Sequence, residues 1–483
     1  MKLTHPASGG AALLALTLTT TANSAGQIPD AFRQIDTELI ALASGPPSLS
    51  AAVAVAQDGR IVWEAGYGFS DAARSVRTTA HTPFAVGSVA KTVTATALMR
   101  LVEKGVVDLE RPVQSYLGND VRVLQGDPQR LTPAALASMT GGIPHLSHHY
   151  WNDDAGVAPT AEQLVKEYGM AVFPPGDSFH YSNMSFGVLE RLIEKVTGES
   201  FPQVVEREVF RPLAMTNSFF ATPTERRTYA ARLRSSGAAI DGYVFTEPEG
   251  GAGLVASAHD LALLGSFHAG WPIGSTGILS TLSLQRMHRS VHPEAGYGLG
   301  MWASDYALIF DGAVLGGAGT VTVIPSESLA VSVVTNAVTD NPATYAFVGR
   351  LVEAALGSVG RKPRQESPPA FLSLQAFRPT PAIQGRWTGA IHRPGGTTPV
   401  LLVIESDGMR VSLSGRPLVS VEPSIEEGRI RFRYPGNMDD GSPPGTVTIR
   451  VQHSGTTLAG FAQAEPTARS GLAFPRYVVL ERQ

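Results

Sequence analysis

The fold of this chain is decided by residues 82–91, which read Thr82-Pro-Phe-Ala-Val-Gly-Ser-Val-Ala-Lys91. A helix is predicted from Ser88 to about Lys104, because apolar residues recur there at three-to-four spacing and Gly105 follows. Residues three apart share a helix face, so the Lys91 amine can lie beside the Ser88 hydroxyl. A partly desolvated amine can take or position a serine proton, and the helix N-terminus favours developing negative charge. The alternative is that Lys91 is an ordinary solvated helix lysine.

A second candidate motif is Tyr181-Ser-Asn183, which follows the loop Phe173-Pro-Pro-Gly-Asp-Ser-Phe-His180 and precedes a helix predicted from about Ser185 to Thr197. A phenol beside an ammonium group can shuttle protons, and an asparagine amide can hold a substrate carbonyl. The alternative is a buried tyrosine next to a helix-capping serine or asparagine.

Strand patterns occur at both ends of the region from residue 28 to residue 360. A hairpin is predicted near the start and strands near the end, the latter followed by a helix. These segments are Ser48–Ala56, Ile61–Gly66, Tyr306–Phe310, Gly319–Ile324, Ala330–Thr335 and the helix Thr344–Leu356. The pattern predicts an α/β (α+β) fold in which both chain ends build one antiparallel sheet and a helical subdomain is inserted between them.

The last part of the chain has a different composition. Residues 361–382 are rich in Pro, Arg and Ser and are predicted to be a linker. Residues 383–483 consist of short alternating segments between Gly and Pro turns, such as Leu401–Ile404, Arg429–Tyr434 and Thr446–Val451. This pattern predicts a C-terminal all-β domain, either a small antiparallel barrel or a sandwich.

Composition excludes several classes of function. The 483 residues carry 38 Lys and Arg against 42 Asp and Glu, a net charge of −4, which shows no basic footprint for nucleic acid. The hydrophobic fraction of 43% is ample for a packed core. The absence of cysteine excludes disulfides, thiolate metal sites and a cysteine nucleophile. Covalent catalysis must therefore use Ser, Thr, Lys or a carboxylate.

The first 25 residues have the pattern of a secretory signal peptide. Lys2 precedes an apolar, small-residue run from Ala11 to Leu18, and small residues end the segment, so that cleavage after either Ser24 or Ala25 is compatible with it. The run is too short to span a bilayer, and no later stretch is long enough. We therefore expect an exported protein, periplasmic or extracellular, without a stable membrane span. A disordered start is the alternative.

The order of motifs along the chain resembles the serine β-lactamase and penicillin-binding-protein superfamily, most closely its class C β-lactamase-like branch of esterases, D-peptidases and β-lactamases. The resemblance covers about Leu49 to Asn336. Besides the two motifs above, it rests on Gly105-Val-Val-Asp-Leu-Glu-Arg-Pro-Val113, Leu136-Ala-Ser-Met-Thr-Gly-Gly-Ile-Pro144, Gly250-Gly-Ala-Gly-Leu-Val-Ala-Ser257 and Tyr297-Gly-Leu-Gly300.

The resemblance implies a role for each motif residue. Ser88 would be the acylated nucleophile, Lys91 its activating amine and Tyr181 the general base or acid. Asn183 would contact the substrate carbonyl. The backbone N–H of Ser88 and one N–H from the strand edging the site would form the oxyanion hole, and two such donors supply several kcal/mol of barrier lowering. No cofactor is implied.

The third motif departs from the family. Where the family has Lys-Thr-Gly or His-x-Gly, this chain has Phe310-Asp311-Gly312-Ala313. Gly312 and Ala313 preserve the backbone for the second oxyanion donor, but Phe310 replaces the basic or imidazole group that steers substrate carboxylates. An alignment slip is the alternative. His453-Ser-Gly455-Thr456 spells the missing motif, yet it lies in the terminal β region and is interpreted as a strand histidine.

The sequence therefore predicts a serine hydrolase that acts through an acyl-Ser88 intermediate on amide, ester or lactam bonds, with a D-peptidase or esterase favoured over a dedicated β-lactamase. A catalytically impaired relative that serves as a binding or scaffold module is the alternative. The substrate would be a small molecule or peptide, with cell-wall material among the candidates. The residues His145, His148, His149, Asp153 and Asp154 could form a metal site, since imidazole and carboxylate groups suit zinc, but a polar rim over the active site is the favoured interpretation.

Overall fold

The structure, a computed structural model, describes residues 28–44, 50–145, 149–151, 160–221, 227–232, 243–245, 248–271, 278–292, 295–336, 342–358, 360–362, 374–393, 396–436, 445–466 and 474–483. The predicted signal peptide lies outside these residues. Among them, no helix is long and apolar enough to cross a membrane.

The α-helices are α1 Arg33–Ser44, α2 Ala90–Glu103, α3 Gln114–Leu117, α4 Pro133–Ala137, α5 Ala161–Tyr168, α6 Asn183–Thr197, α7 Phe201–Val205, α8 Glu249–Ala252, α9 Ala258–His268, α10 Thr281–His288 and α11 Pro342–Ser358. The strands are β1 Ala51–Gln57, β2 Arg60–Tyr67, β3 Phe84–Gly87, β4 Arg122–Val123, β5 His149–Trp151, β6 Met170–Ala171, β7 Phe219–Phe220, β8 Tyr243–Phe245, β9 Leu254–Ala256, β10 Trp302–Ala303, β11 Leu308–Val314, β12 Gly317–Ile324, β13 Leu329–Thr335, β14 Gln375–Ala376, β15 Gly385–Arg393, β16 Gly396–Glu405, β17 Gly408–Leu413, β18 Val419–Val421, β19 Ser424–Glu426, β20 Arg429–Pro435, β21 Gly445–Ser454, β22 Thr457–Pro466 and β23 Phe474–Arg482.

Strands from both ends of the first region form one antiparallel sheet in the order β10-β11-β12-β13-β1-β2. In β1, Val53 pairs with Val333 of β13 on one side and with Ala65 of β2 on the other. The predicted arrangement, a sheet closed by the two ends of the chain with helices inserted between them, is confirmed.

Both faces of this sheet are covered. Successive side chains of a strand point to opposite faces, so Ala52 and Ala54 join the core formed with the inserted helices, including α2 and α9. Val53 and Val55 join a second core with α1 and α11. Strands that are buried on both faces read as near-continuous apolar runs, and β1 and β13 have that pattern.

Helix α2 runs through the larger core. Its residues from Ala90 to Met99 are all buried, whereas Ser88 and Val89 form a turn that precedes it. The helix thus begins two residues later than predicted, because strand β3 ends at Gly87 and the chain must turn before the helical hydrogen bonds start. Its buried residues include Lys91, Thr92, Thr94 and Thr96, so polar groups of this helix lie inside the core as well.

The C-terminal residues form a strongly curled antiparallel sheet in the order β14-β19-β20-β21-β22-β23-β15-β16-β17-β18. Its concave face holds a separate apolar core that includes Trp387 and Phe432, both fully buried. The barrel-like β prediction is confirmed, although the sheet is open, with β14 and β18 at its edges. Strand β14 lies within the stretch that the sequence predicts as linker, where it pairs with β19.

Candidate active site

Ser88 stands at the junction between β3 and α2. The preceding Gly87 has φ of +56°, and a Cβ there would lie 2.8 Å from the Ala313 carbonyl oxygen. Glycine is required at this position because the backbone of β11 crosses so closely. The tight turn brings Ser88 against the strand that the sequence predicted to edge the site.

The Lys91 side chain is buried, with 1% of its surface exposed, and its amine lies beside Ser88. Its Nζ is 2.8 Å from Ser88 Oγ, 2.6 Å from Asn183 Oδ1 and 2.6 Å from the Gly251 carbonyl oxygen. The two amide oxygens can only accept hydrogen bonds. A neutral amine would therefore donate both of its hydrogens to them and direct its lone pair at the Ser88 hydroxyl, and an ammonium would donate its third hydrogen to Ser88.

The oxygen atoms around Lys91 are held by helices α6 and α8. Thr94 Oγ1 donates to the carbonyl oxygen of Gly250, and the Gly250 N–H donates to a carboxylate oxygen of Glu190 at 2.8 Å. Burial, together with the neighbouring Glu249 carboxyl, raises the pKa of Glu190 well above its usual value. The buried carboxyl therefore supports the short α8 segment that presents the Gly251 carbonyl to Lys91.

Tyr181 shares an aromatic wall with Trp302 and Tyr297. Its ring centroid is 4.8 Å from Lys91 Nζ, and its ring is stacked on that of Trp302 with an interplanar angle of 8°. The Tyr297 ring meets both at nearly right angles. These contacts fix the plane of the Tyr181 ring next to the Ser88–Lys91 pair, as a proton-transfer group requires.

Asn183 is the first residue of α6, and Ser182 caps that helix by accepting from the Ser185 N–H. The Asn183 N–H donates to His145 Nδ1 at 3.3 Å, and the His145 ring centroid is 5.9 Å from that of Tyr181. His145 therefore belongs to the surroundings of the site, as the polar-rim interpretation expects. His148, Asp153 and Asp154 lie outside the described residues.

Strand β11 carries the third motif past Ser88. A Cβ on Gly312 would lie 2.3 Å from the Ser88 nitrogen, so only glycine allows this approach. The Phe310 ring packs into the core, 5.1 Å from the ring of His268. The polar side chain that this strand contributes is Asp311, whose Oδ1 accepts from Trp302 Nε1 at 2.9 Å. The strand extends four residues beyond the predicted end at Phe310, because residues 311–314 continue the pairing with β12, with Gly312 opposite Gly319.

A small cavity opens at Ser88. It is lined by Ser88, Thr92, Tyr181, Tyr297, Gly300, Met301, Trp302, Ile309, Phe310 and Asp311. The cavity thus joins the nucleophile candidate, the tyrosine candidate and the third-motif strand, three elements that are distant in sequence.

The C-terminal sheet contacts the segments that carry Tyr181 and His145. Arg429 of β20 donates to the Phe179 carbonyl oxygen at 2.7 Å and also contacts His180 and the Glu427 carboxylate. Gln463 Nε2 of β22 donates to the His145 carbonyl oxygen at 2.9 Å. The sequence pattern does not identify these two residues, because a lone Arg or Gln in an alternating strand is also typical of a solvated surface.

One group of side chains in the described part of the chain could hold a divalent metal ion. Glu64, His81 and His259 place their ligand atoms within 4.8 Å of one another. His259 Nδ1 is 2.7 Å from one Glu64 carboxylate oxygen, and His81 Nε2 is 3.3 Å from the other. None of the three lines the cavity at Ser88.

Comparison with known proteins identifies the family. The family model described as Beta-lactamase matches residues 41–353, which is more than half of the chain. The chain belongs to the β-lactamase family. Among curated relatives, the putative penicillin-binding protein PbpX of Bacillus subtilis is 29% identical over 179 residues, which are 37% of this chain and 43% of that protein. The chain thus spans less than half the length of that relative.

Solved structures extend the likeness to the C-terminal sheet. SurE is 21% identical with a TM-score of 0.64, covering 93% of this chain and 98% of SurE. EstCE1, described as a hydrolase with promiscuous acyltransferase activity, is 21% identical with a TM-score of 0.56 over 67% of this chain and 98% of its own. A D-stereospecific amidohydrolase from Streptomyces is 23% identical with a TM-score of 0.51 over 67% of this chain and 97% of its own. These similarities establish a β-lactamase-like fold for this member of the family.

Proposed function

We propose that this protein is a serine hydrolase that opens ester or amide bonds through an acyl-Ser88 intermediate. The observation that carries the proposal is the 2.8 Å contact between Lys91 Nζ and Ser88 Oγ, made by a buried lysine that also contacts the amide oxygens of Asn183 and Gly251. A serine hydroxyl is a weak nucleophile until a neighbouring base takes its proton.

In the proposed reaction, Ser88 Oγ attacks the substrate carbonyl carbon while its proton passes to the Lys91–Tyr181 pair. The N–H groups of Ser88 and Ala313 would stabilise the tetrahedral oxyanion, since Gly87 and Gly312 allow these two backbone segments to meet. The leaving alcohol or amine departs with a proton returned by Tyr181. A water molecule, deprotonated by the same pair, then attacks the acyl carbon and releases the acid and free Ser88.

Esters and amides are the preferred substrates over β-lactams that carry a carboxylate. The third-motif strand offers Asp311 where a carboxylate ligand would need a cation, and like charges repel. The names of EstCE1 and of the D-stereospecific amidohydrolase support the same field, an acyl ester or an amide of a D-configured acid.

The altered third motif favours a second candidate function, a binding or scaffold module that has lost turnover. Against it stands the intact contact set around Lys91, which a fold without catalysis does not require. Burying a lysine amine costs stability. A binding module would gain nothing from this cost, so the presence of a buried Lys91 supports an enzyme.

Export is part of the proposal. Its support is the composition of residues 1–25, with a single early lysine and an apolar run that ends in small residues. Expression of the full chain in a bacterial host, followed by amino-terminal sequencing of the periplasmic fraction, tests it, and a mature start after Ser24 or Ala25 is expected.

Measurements of turnover test the proposed hydrolase activity and its nucleophile. Wild type and Ser88→Ala are compared on a nitrophenyl ester, a penicillin and a D-alanyl peptide thioester, with melting temperature as the folding control. We expect wild type to hydrolyse the ester or thioester, and Ser88→Ala to lose at least 100-fold in kcat with an unchanged melting temperature. Equal rates in both proteins would contradict the proposed nucleophile.

A further inference from the structure

We propose that Asp311 makes this active site selective for acyl substrates that carry a free ammonium group near the scissile carbonyl, such as aminoacyl esters, thioesters and amides. The inference rests on the proposed function, because it names the substrate class of the same site.

The position of Asp311 follows from the register of β11. Gly312, the next residue, lies against the Ser88 nitrogen, where a Cβ would approach to 2.3 Å. Phe310 also lines the cavity at Ser88, but its ring is buried with 1% exposure, so Asp311 is the residue of this strand that brings a charged group to the cavity. Ser88 and Asp311 line the same small cavity. A substrate carbonyl at Ser88 therefore has its neighbouring substituents within reach of this carboxylate.

The charge of the cavity lining has one sign. Of the side chains that line it in the described part of the chain, one is a carboxylate, Asp311, and none is a lysine or arginine. Lys91 lies behind the nucleophile, where its amine contacts Ser88 Oγ and the amide oxygens of Asn183 and Gly251. A cationic substituent beside Asp311 would thus be attracted to its carboxylate, and an anionic one repelled.

The surroundings of Asp311 also suit an ammonium group. Trp302 Nε1 donates to Asp311 Oδ1 at 2.9 Å, which fixes the carboxylate on the aromatic wall. That wall consists of Trp302, Tyr181 and Tyr297 in stacked and perpendicular contacts. Aromatic faces attract cations through their quadrupole, and a carboxylate forms charge-assisted hydrogen bonds with an ammonium group.

The competing explanation is that Asp311 only holds the Trp302 indole. Asp311→Asn separates the two roles, because the amide oxygen can still accept from the indole N–H while the charge is removed. A merely structural Asp311 would leave substrate preference unchanged in this variant. Asp305→Asn is the matched control, since Asp305 is an exposed carboxylate in the loop that precedes β11.

The experiment measures kcat/KM for thioesters of alanine, N-acetylalanine and N-succinylalanine in both enantiomers. Thiol release is followed with a thiol reagent, and the chain has no cysteine to interfere. We expect wild type and Asp305→Asn to favour the free amine over the acetyl compound by at least 10-fold, with the succinyl compound slowest. Asp311→Asn should bring the free amine to within about 3-fold of the acetyl compound and accelerate the succinyl compound.

The pH profile provides a second readout. An α-amino group loses its proton near pH 8, so the wild-type preference for the free amine should fall as the pH rises through that value, and Asp311→Asn should show no such fall. A wild-type preference for the acetyl or succinyl compound, or the same ratio in Asp311→Asn, would overturn the inference.

Failure of the proposed function is distinguishable from failure of this inference. If Ser88→Ala hydrolyses the thioesters as fast as wild type, the nucleophile is wrong whatever the preference. If wild type hydrolyses none of them, binding of alaninamide and N-acetylalaninamide to Ser88→Ala is compared by calorimetry. Binding of the free amine at least 10-fold tighter then supports the role of Asp311, and equal binding overturns it.

Discussion

At the scale of single residues, the site depends on backbone atoms as much as on side chains. Gly87 and Gly312 are the positions where β3 and β11 approach so closely that a Cβ would collide with main-chain atoms. Main-chain atoms cannot rotate away as the end of a flexible side chain can. The proposed oxyanion donors therefore depend on two glycines, whereas the proposed acid–base groups are the side chains of Lys91 and Tyr181.

Gly312→Ala tests this dependence. The added methyl group would lie 2.3 Å from the Ser88 nitrogen and 2.2 Å from the Val86 carbonyl oxygen, so β11 must move away from the nucleophile. We expect a loss of at least 100-fold in kcat for ester hydrolysis, with a melting temperature only a few degrees lower. Gly408→Ala, in open space at the start of β17, is the control and should retain wild-type kcat. Normal turnover by Gly312→Ala would contradict the assigned oxyanion geometry.

At the scale of elements, the short helix α8, which lies behind Lys91, contains a titratable carboxyl group, that of Glu249. Glu249 begins this helix and Gly251, whose carbonyl binds Lys91, lies two residues later. Burial raises the pKa of Glu249 to about 7, and the charge of Glu194 contributes in the same direction. The pKa of Glu190, which accepts from the same helix, is also raised, mainly by burial. Both carboxyls therefore favour the neutral form in the folded protein.

The sign of the resulting pH dependence follows from linkage. A carboxyl whose folded pKa lies above its unfolded value of about 4.5 stabilises the fold fully below pH 4.5, and that contribution is lost as the pH rises through about 7. The wild type should lose this contribution between pH 5 and pH 8, whereas Glu249→Gln should not. The free energy of unfolding of Glu249→Gln, relative to that of the wild type, should therefore rise by about 2 kcal/mol over this range. Urea unfolding at the two pH values measures it. Glu353→Gln, an exposed position on α11, is the control; parallel pH profiles for wild type and Glu249→Gln would contradict the account.

At the scale of the whole molecule, the C-terminal sheet is fastened to the segment that presents Tyr181. Arg429 is buried, which lowers its pKa to about 10, and it bonds the Phe179 carbonyl two residues before Tyr181. Val172 and Phe173 pack against Phe461 of β22 in a shared apolar cluster. The position of Tyr181, the proposed acid–base group at Ser88, is thus coupled to a sheet that begins about 200 residues after Tyr181 in the sequence.

Arg429→Met tests the coupling. Removal of the guanidinium leaves the Phe179 carbonyl and the half-buried Glu427 carboxylate without this partner, which costs about 3 kcal/mol of stability. Because Arg429 acts through the Tyr181 segment and does not line the cavity, we expect kcat to fall about 10-fold with KM nearly unchanged. Arg410→Met, whose ion pair with Glu405 is exposed, should leave both constants as in wild type. An Arg429→Met protein with a lowered melting temperature and wild-type kcat would show that the contact serves stability alone.

The sequence is most informative where a local rule and the tertiary structure agree. The strands β1, β12 and β13 are apolar runs next to turn residues, and the end of α6 at Gly198 follows the left-handed C-cap that glycine favours. The predicted start of α2 is two residues early and the predicted end of β11 at Phe310 is four residues early, because the turn at Ser88 and the approach of Gly312 to it depend on contacts between distant segments. Arg429, Gln463 and the support of Lys91 by Glu190 could not be predicted, since each depends on hydrogen bonds between residues far apart in the sequence.

The candidate site residues also divide into those that the sequence predicts and those that depend on contacts between distant segments. Ser88, Lys91, Tyr181 and Asn183 are close enough in their motifs for the resemblance to name them, and the structure brings them together. Their catalytic roles remain predictions. At the third motif, the sequence drew attention to Phe310 as the missing base, whereas the cavity receives the polar group of its neighbour Asp311. Both residues line the cavity, and which of them brings a polar group to Ser88 follows only once the position of β11 beside Ser88 is known.

The most direct test of the central claim is the intact mass of the protein after brief exposure to an activated ester, followed by peptide mapping. Wild type, Ser88→Ala and Lys91→Met are compared, because methionine fills the volume of the buried lysine without its amine. We predict an adduct on Ser88 in the wild type, none in Ser88→Ala, and acylation at least 100-fold slower in Lys91→Met. An adduct on another residue of the wild type, or equally fast acylation of Lys91→Met, would contradict an acyl-Ser88 enzyme activated by Lys91.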